Sequence, residues 1–414
     1  MASQTKSSLL LLPPPQSFSF SGVKEAFETS VSDVLVKLSK TVENSNQIAT
    51  LYIALAVPNL LSLPNKPRAN TFAPLQHYLS SIYTLIGAVG TARDIDLDSP
   101  GGIDTRVIFI DHLSSNTSTI SPGSKLDASN DLHIGPILKL HSLATSGRQW
   151  NHVFYLNNQI GRELADSFVT SLPSPSKDHT ASIMQKISCS GDWQVPASVL
   201  VPEDQPSLKP HYSVAVGGTF DHLHIGHKLL LTATALALEP LDPTNQDQAR
   251  ILTVGVTGDA LLVNKKFAEY LESWEERFQS TASFLAGIMD FSPQSHGSLG
   301  LPKIERSRTS DDKGQVVAMY LQPNLIYKFV EFFDICGPTL TDEDISALVV
   351  SKETSAGGAM VNEERAKKGW ARLTIFEVDV LQSGEATAVT GANPFEGKIS
   401  STDIRRRRMN RAKV

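Results

Sequence analysis

Residues Val214 to His227 read Val-Ala-Val-Gly-Gly-Thr-Phe-Asp-His-Leu-His-Ile-Gly-His, and they place a glycine turn and a histidine cluster after an apolar run. The alternating residues from Tyr212 to Val216 predict a buried strand, and Gly217 and Gly218 permit a tight turn at its end. A glycine turn and a histidine cluster at the carboxyl end of a strand indicate chemistry on nucleotide phosphates.

A helix is predicted to begin at His224 and to continue through Thr232. His224 and His227 are three residues apart, so both imidazoles can lie on one face, and Gly226 lets a phosphate approach the backbone. The helix start adds unpaired N–H groups and the positive end of the dipole. The structural alternative is a helix cap whose histidines only satisfy backbone groups.

Other sites for phosphates or metals are disfavoured. The glycines lack the dinucleotide spacing, and the chain contains no Gly-x-x-x-x-Gly-Lys-Ser/Thr segment. A zinc site is weakly supported, since no His-Glu-x-x-His segment occurs and Cys189 and Cys336 stand far apart. We therefore predict no protein metal site.

A second strand is predicted from Ile251 to Thr257, and Lys265 and Lys266 follow it. Strand, helix and strand in this order form a parallel crossover unit, in which ligands bind beyond the carboxyl ends of the strands. The lysine pair would fall there, although a solvated surface is the ordinary position of two lysines.

A third element, Ile399-Ser400-Ser401-Thr402-Asp403-Ile404-Arg405, places three hydroxyls at a predicted helix start and a guanidinium one turn later. Hydroxyls and free N–H groups can hold phosphate oxygens, and an arginine can neutralise their charge. An N-cap followed by a basic tail is the structural alternative.

Taken together, these segments resemble the nucleotidyltransferase superfamily, whose mark is His-x-Gly-His, and within it the eukaryotic type of phosphopantetheine adenylyltransferase. The resemblance covers about Tyr212 to Arg411. The narrower match rests on five further segments: Val256–Leu262, Asn264–Lys266, Tyr270–Glu272, Glu275–Arg277 and Val349–Thr354. It implies a Rossmann-like domain that transfers AMP from ATP to 4′-phosphopantetheine, giving dephospho-coenzyme A and pyrophosphate.

The resemblance also implies roles for individual residues. Thr219 would bind the acceptor phosphate, His227 would stabilise the α-phosphoryl group, and His224 would hold the first position of the motif. Lys265 or Lys266 would bridge the two phosphates, with the choice left open. Lys352 would supply a further phosphate contact, unless it is a lysine facing water at a strand end. Arg405 would reach the β- or γ-phosphate. The nucleotide side would be formed by Gly217, Gly218, Phe220, Gly226, Ser400, Ser401 and Thr402. Mg²⁺ would accompany the ATP phosphates with few protein ligands.

Two other functions remain as alternatives: a non-catalytic sensor or scaffold that binds nucleotides or coenzyme A, and a related nucleotidyltransferase with another acceptor. The expected small-molecule partners are ATP and 4′-phosphopantetheine. The chain is also expected to associate with other enzymes of coenzyme A synthesis. A net charge of −6 argues against nucleic acid, and the apolar runs are too short for a membrane span.

Localisation is expected to be cytoplasmic, because two cysteines in 414 residues fit a reducing compartment. Beyond Arg405, the basic run to Arg408 admits three interpretations: a solvated helix end, a nuclear-targeting patch, or contacts to the phosphates of ATP or coenzyme A. The position near the C-terminus favours the helix end, because basic residues there interact favourably with the helix dipole. Near the N-terminus, Ser7 to Leu12 is too short and too weakly basic for a signal peptide.

The chain is predicted to form two α/β domains. Residues 1–200 would be an accessory domain of unknown role, residues 201–211 a linker, and residues 212–414 the nucleotidyltransferase-like domain. Within the first domain, strands are predicted at Thr50–Val57, Arg106–Asp111 and Val153–Leu156, and helices at Ala26–Leu38 and Pro74–Val89.

Overall fold

The computed structural model describes residues 7–43, 45–61, 66–98, 100–112, 133–173, 176, 180, 182–195, 200, 206–241, 245, 247–293, 302–321, 324–381 and 400–412. The chain divides into two compact units. The N-terminal unit comprises residues 1–65, 81–205 and 286–299, and the C-terminal unit comprises residues 66–80, 206–285 and 300–414. The division at 205/206 falls within the predicted linker, of which residues 201–205 lie outside the described part.

The N-terminal unit is built on a six-stranded parallel sheet with the order β4-β3-β2-β1-β5-β6. Its strands are β1 (Ser7–Leu12), β2 (Ala49–Val57), β3 (Ile103–Asp111), β4 (Ile137–Lys139), β5 (Trp150–Leu156) and β6 (Met184–Ile187). The apolar run weighed above as a targeting segment is thus a central strand, and Leu9 to Leu12 are completely buried. The three predicted strands correspond to β2, β3 and β5.

Helices of the N-terminal unit follow the apolar spacing of the sequence. Helix α1 (Phe20–Val42) begins at Ser19, whose hydroxyl accepts a hydrogen bond from the Gly22 N–H, and it buries residues at helical intervals: Val23, Phe27, Val31, Val34 and Leu38. Helix α2 is Arg68–Ala92, α3 is Leu140–Ala144 and α4 is Gln159–Ser171. The first residues of α2, as far as Ser80, group with the C-terminal unit.

The C-terminal unit contains a seven-stranded mixed sheet with the order β13-β12-β7-β8-β11-β10-β9. Its strands are β7 (Ser213–Gly218), β8 (Arg250–Thr257), β9 (Lys303–Arg308), β10 (Gln315–Leu321), β11 (Leu325–Phe332), β12 (Ala347–Ser351) and β13 (Thr374–Val378). Strands β13, β12, β7, β8 and β11 are parallel, and β10 and β9 run antiparallel to their neighbours. The carboxyl ends of five strands therefore share one edge.

The predicted crossover is confirmed. Helix α5 (Ile225–Ala237) connects β7 to the adjacent parallel strand β8, and most of its residues are buried. The remaining helices are α6 (Trp274–Met289), α7 (Ser355–Lys367) and α8 (Ser401–Ala412). The fold is α/β, with a Rossmann-like parallel sheet in the C-terminal unit and a second parallel sheet in the N-terminal unit. Within the described residues, no helix has both the length and the apolar character of a membrane span.

Candidate active site

The loop between β7 and α5 holds the central part of the glycine and histidine motif in a strained conformation. Phe220 and His222 both have positive φ, at 52° and 47°. Residues other than glycine in this region cost about 1–3 kcal/mol each and persist where the surroundings fix them. Phe220 is completely buried, and a Cβ at Gly218 would lie only 3.0 Å from its ring. The surrounding contacts therefore hold this loop in one defined conformation.

Helix α5 begins as the sequence predicts, and its two histidines lie on one face. Their rings are stacked, with centroids 3.8 Å apart and planes 20° apart. His224 is the N-cap residue, and its Nδ1 accepts a hydrogen bond of 3.2 Å from the Gly226 N–H. A Cβ at Gly226 would lie 3.2 Å from that ring, which explains a glycine at this position.

His227 is the more isolated of the two imidazoles. Its Nδ1 is buried and has no hydrogen-bond partner among the described residues. The centroids of the His227 and Phe220 rings are 5.4 Å apart. Burial lowers the pKa of His227 from its ordinary 6.5 to about 3. The ring is therefore neutral near pH 7, and it can offer a phosphoryl group one hydrogen bond.

A buried ion pair joins the first motif to the last. The Arg405 guanidinium pairs with the Asp221 carboxylate, and both side chains are almost fully buried, at 3% and 0% exposed. The same guanidinium donates from Nε to the Lys266 carbonyl at 3.0 Å and from Nη2 to Thr402 Oγ1 at 3.1 Å. The family resemblance implies that Arg405 reaches the β- or γ-phosphate of ATP. In the structure these donors bind protein oxygens.

The hydroxyl segment is predicted correctly as a helix start, and its side chains are also bound to the protein. Ser401 Oγ donates to the Asp221 carbonyl at 2.8 Å. Ser400 Oγ lies 3.0 Å from an Asp403 carboxylate oxygen and accepts from the Asp403 N–H at 3.3 Å. The start of α8 is therefore bonded directly to the loop after β7.

His222 and Glu272 form a second buried pair beside this contact. The His222 Nδ1 lies 3.0 Å from Glu272 Oε1, and its Nε2 donates to the Tyr270 carbonyl at 2.7 Å. Burial disfavours the charge on His222, but the hydrogen bond and the charge of Glu272 outweigh it and raise the pKa of His222. Burial likewise opposes the charge on Glu272, and His222 outweighs it, so the pKa of Glu272 is lowered.

Arg277 is a second buried arginine of the site. Its guanidinium donates to the Thr219 carbonyl at 2.7 Å, the Thr257 carbonyl at 2.8 Å and the Glu272 carbonyl at 3.0 Å, and it also pairs with Asp259. The loops after β7 and β8 are thereby held at fixed positions. Thr219 itself is half-buried at the end of β7, beside the exposed Gly217.

Lys265 and Lys266 are both exposed, on the loop after β8. The next residue, Phe267, has a positive φ of 57°. Because the Lys266 carbonyl accepts from Arg405, this loop is attached to the same buried arginine as the other two motifs.

Lys352 lies at the same sheet edge, directly after β12, which is separated from β8 by β7. Its Nζ forms an ion pair with Asp379, and the lysine side chain is 54% exposed. Asp379 also accepts from Gln76 and lies 3.0 Å from the His77 Nδ1. Within the described part of the chain, no ion pair or hydrogen bond joins Lys352 to Arg405 or Asp221.

Three residues with metal-binding groups lie close together: Asp221, His222 and Glu272. Their polar atoms are already used, since Asp221 binds Arg405 and the Glu272 N–H, and His222 binds Glu272 and Tyr270. This cluster therefore offers no open position for a magnesium ion.

Sequence reasoning did not single out Asp221, His222, Glu272 or Arg277 as individual site residues. Asp221 and His222 were inside the quoted motif, and Glu272 and Arg277 were inside segments of the resemblance. Their importance comes from contacts between residues about 20 to 180 positions apart, such as Asp221 with Arg405. A single sequence carries no signal for such pairings.

One family model matches the N-terminal part of the chain. Residues 1–188 match a family model described as a domain of unknown function, DUF8446. A crystal structure of a protein of unknown function from Archaeoglobus fulgidus is similar over 42% of this chain and 93% of its own, with 22% identity and a TM-score of 0.26.

Two fungal relatives each match a little less than half of the chain, and one of them carries a functional name. The chain is 32% identical over 192 residues to phosphopantetheine adenylyltransferase of Saccharomyces cerevisiae, covering 46% of this chain and 47% of the relative. It is 35% identical over 191 residues to an uncharacterised protein of Schizosaccharomyces pombe, covering 46% of each. In both cases the chain spans about half the length of the relative.

An archaeal relative is covered more completely. Phosphopantetheine adenylyltransferase of Pyrococcus horikoshii is 26% identical over 176 residues, which are 42% of this chain and 83% of the relative. Over somewhat less than half its length, the chain is therefore similar to phosphopantetheine adenylyltransferases, and this similarity supports a nucleotidyltransferase-like domain.

Proposed function

We propose that the C-terminal unit transfers AMP from ATP to 4′-phosphopantetheine, giving dephospho-coenzyme A and pyrophosphate. The observation that carries this proposal is the meeting of three separate motifs around Arg405. The loop after β7, the lysine loop after β8 and the hydroxyl start of α8 are all bonded to that side chain or to its partner Asp221. The similarity to named phosphopantetheine adenylyltransferases supports the choice of reaction.

In the proposed reaction, a phosphate oxygen of the acceptor attacks the α-phosphorus of ATP. A new oxygen–phosphorus bond forms, the bond between the α-phosphorus and the oxygen bridging to the β-phosphorus breaks, and pyrophosphate leaves with that oxygen. The nucleophile is already an anion, so the site needs no general base to activate it. Positioning and stabilisation of charge then supply the rate enhancement.

The chain's own residues fit such a role. The neutral His227 can donate a hydrogen bond to the α-phosphoryl group as charge develops there, because burial keeps its pKa far below 7. Thr219 at the end of β7 and the exposed lysine pair after β8 lie on loops that Arg277 and Arg405 hold in place. We assign the acceptor phosphate to these two loops, with Lys265 or Lys266 as its cation.

Mg²⁺ would neutralise part of the charge of the ATP phosphates when it is bound. Because the Asp221, His222 and Glu272 cluster offers it no open position, we expect the ion to be held mainly by the nucleotide. Association with other enzymes of coenzyme A synthesis and a cytoplasmic location remain proposals.

The test is incubation of the full-length chain with Mg²⁺, ATP and 4′-phosphopantetheine, with nicotinamide mononucleotide as the control acceptor. Pyrophosphate and dephospho-coenzyme A should appear together, and only with phosphopantetheine. Turnover of the control acceptor alone would keep the reaction class and reject the acceptor. A folded chain that binds ATP but turns over neither acceptor would favour the sensor function.

A further inference from the structure

The Arg405 guanidinium occupies a buried position at which it touches each of the three motifs. It pairs with Asp221 in the loop after β7, and it donates to the Lys266 carbonyl in the lysine loop after β8. It also donates to the Thr402 hydroxyl at the start of its own helix, α8. All three of its nitrogens thus have a protein partner. A guanidinium that is 3% exposed and engaged in this way has little surface to offer a phosphate.

The contact with Lys266 is made to the backbone. Arg405 Nε binds the carbonyl of Lys266, and this fixes the peptide that leads into Phe267, the residue with a φ of 57°. Both lysine side chains are exposed, so their directions depend on the backbone that carries them. Arg405 can therefore determine the positions of the two lysine ammonium groups although Arg405 itself contacts no substrate.

Asp221 is in turn held from its other side. Its second carboxylate oxygen accepts from the Glu272 N–H at 3.0 Å, and its own carbonyl accepts from Ser401 Oγ at 2.8 Å. Protein hydrogen bonds therefore hold the partner of the arginine in position.

We propose that Arg405, with Asp221, is a positioning residue that sets the lysine loop at the acceptor phosphate, and that it does not bind the ATP phosphates itself. The part of this inference that concerns catalysis rests on the proposed function. Its structural consequence, a lysine loop ordered by Arg405, can be tested separately.

The structural test is hydrogen exchange of the intact chain with Arg405→Lys, which keeps the charge and removes the planar fork. Amides of residues 264–270 should exchange faster by on the order of tenfold or more, while amides of β7 and β8 keep their protection. Arg365→Lys is the matched control. Arg365 is also a completely buried arginine of the C-terminal unit, and it binds carbonyls at Ala371, Thr339, Asp342, Glu343 and Ile345.

The control should leave residues 264–270 as protected as in the wild-type chain. If Arg405→Lys also leaves them protected, the inference is overturned whatever the activity. If Arg405→Lys does not fold, hydrogen exchange of residues 264–270 is measured in two other variants. The first is Thr402→Val. The second is the double variant Asp221→Asn with Arg405→Met, which leaves no buried charge unpaired.

The catalytic test is a double-mutant comparison with Lys265→Ala and Lys266→Ala together. If Arg405 acts through the lysines, Arg405→Lys should lower kcat/KM by about 10- to 100-fold in the wild-type chain and by less than threefold in the lysine-free chain. An equal loss in both backgrounds would mean that Arg405 contacts the substrate, and the inference would be wrong. A wild-type chain without turnover would reject the proposed function, and the exchange experiment would still decide the inference.

Discussion

The imidazole rings of His224 and His227 are stacked 3.8 Å apart, yet the two residues are in different chemical situations. His224 caps helix α5 by accepting the Gly226 N–H, which fixes its Nδ1 as an acceptor. The Nδ1 of His227 is buried without a partner among the described residues, and burial lowers its pKa to about 3. We infer that His224 organises the helix start and that His227 supplies the hydrogen bond to the reacting phosphoryl group.

Replacement of His227 by Ala should therefore lower kcat by about 10²–10³-fold, the usual loss for a donor that stabilises developing charge. ATP affinity should change little, because the role is confined to the transition state. Steady-state kinetics with the proposed substrates and calorimetric titration with ATP would separate the two quantities. An unchanged kcat would remove His227 from the mechanism.

Replacement of His224 should separate capping from chemistry. Asn is a good N-cap residue, so His224→Asn should keep the stability of the chain, whereas His224→Ala should lose about 1 kcal/mol of unfolding free energy. Denaturant unfolding of both variants provides the comparison. If kcat falls equally and strongly in both, His224 also takes part in catalysis.

The pair of His222 and Glu272 predicts how stability depends on pH. The pKa of His222 is raised above 6.5 in the folded chain, so its contribution is complete below 6.5 and is lost as the pH rises through the folded value. The pKa of Glu272 is lowered below 4.5, so its contribution is present above 4.5 and is lost as the pH falls. The pair should stabilise the fold most between these two ordinary values.

This prediction is checked by the denaturation midpoint of wild type and His222→Gln between pH 6.5 and pH 9. The wild-type midpoint should fall more steeply than that of the variant, because only wild type loses the charge on His222. His227 changes stability in the opposite direction below pH 6.5, since its folded pKa is about 3. For that reason the comparison stays above 6.5. Parallel curves would contradict the ion pair.

The segment Lys66–Ser80 leads to a prediction about truncation. Within the C-terminal unit, the side chain of Asn70 bonds to the Pro206 carbonyl and the Leu208 N–H, and the Phe72 ring lies 4.6 Å from that of Phe376. A fragment of residues 206–414 would lack these contacts. Loss of the Phe72 packing alone would cost about 3–5 kcal/mol.

We expect that fragment to melt on the order of 10 °C below a fragment that carries residues 66–80 ahead of it through a flexible linker. Thermal unfolding followed by circular dichroism would measure the difference. The same linked segment with Phe72→Ala is the matched control and should recover only part of the stability. Equal melting temperatures would show that the segment contributes nothing to the unit.

The elements predicted from the sequence are those with strong local patterns. The apolar run from Tyr212 predicted β7, and the histidine turn predicted the start of α5. The hydroxyls near Ser401 predicted the start of α8. Strand β1 was not predicted, because six residues of Ser and Leu without alternation are consistent with several structures. Only pairing with β2 and β5 makes them a central strand.

The functional roles that the sequence assigns to the site residues stay predictions, and the contacts that join those residues could not be predicted. Residue type and spacing are enough to propose roles for His227 and for the lysine pair, because these residues lie in short local motifs. The Arg405 contacts could not be, since Asp221 lies 184 residues away and nothing local distinguishes an arginine that binds phosphate from one that binds a buried carboxylate.

The central claim, AMP transfer by this chain, is tested most directly by following the phosphorus atoms of ATP. In parallel reactions of the full-length chain with 4′-phosphopantetheine, one sample receives ATP labelled in the α-phosphate and the other ATP labelled in the γ-phosphate. We predict that the α label appears in dephospho-coenzyme A and the γ label in pyrophosphate, and that His227→Ala slows both equally. Transfer of the γ label to the acceptor, or no transfer by a folded chain that binds ATP, would contradict the proposal.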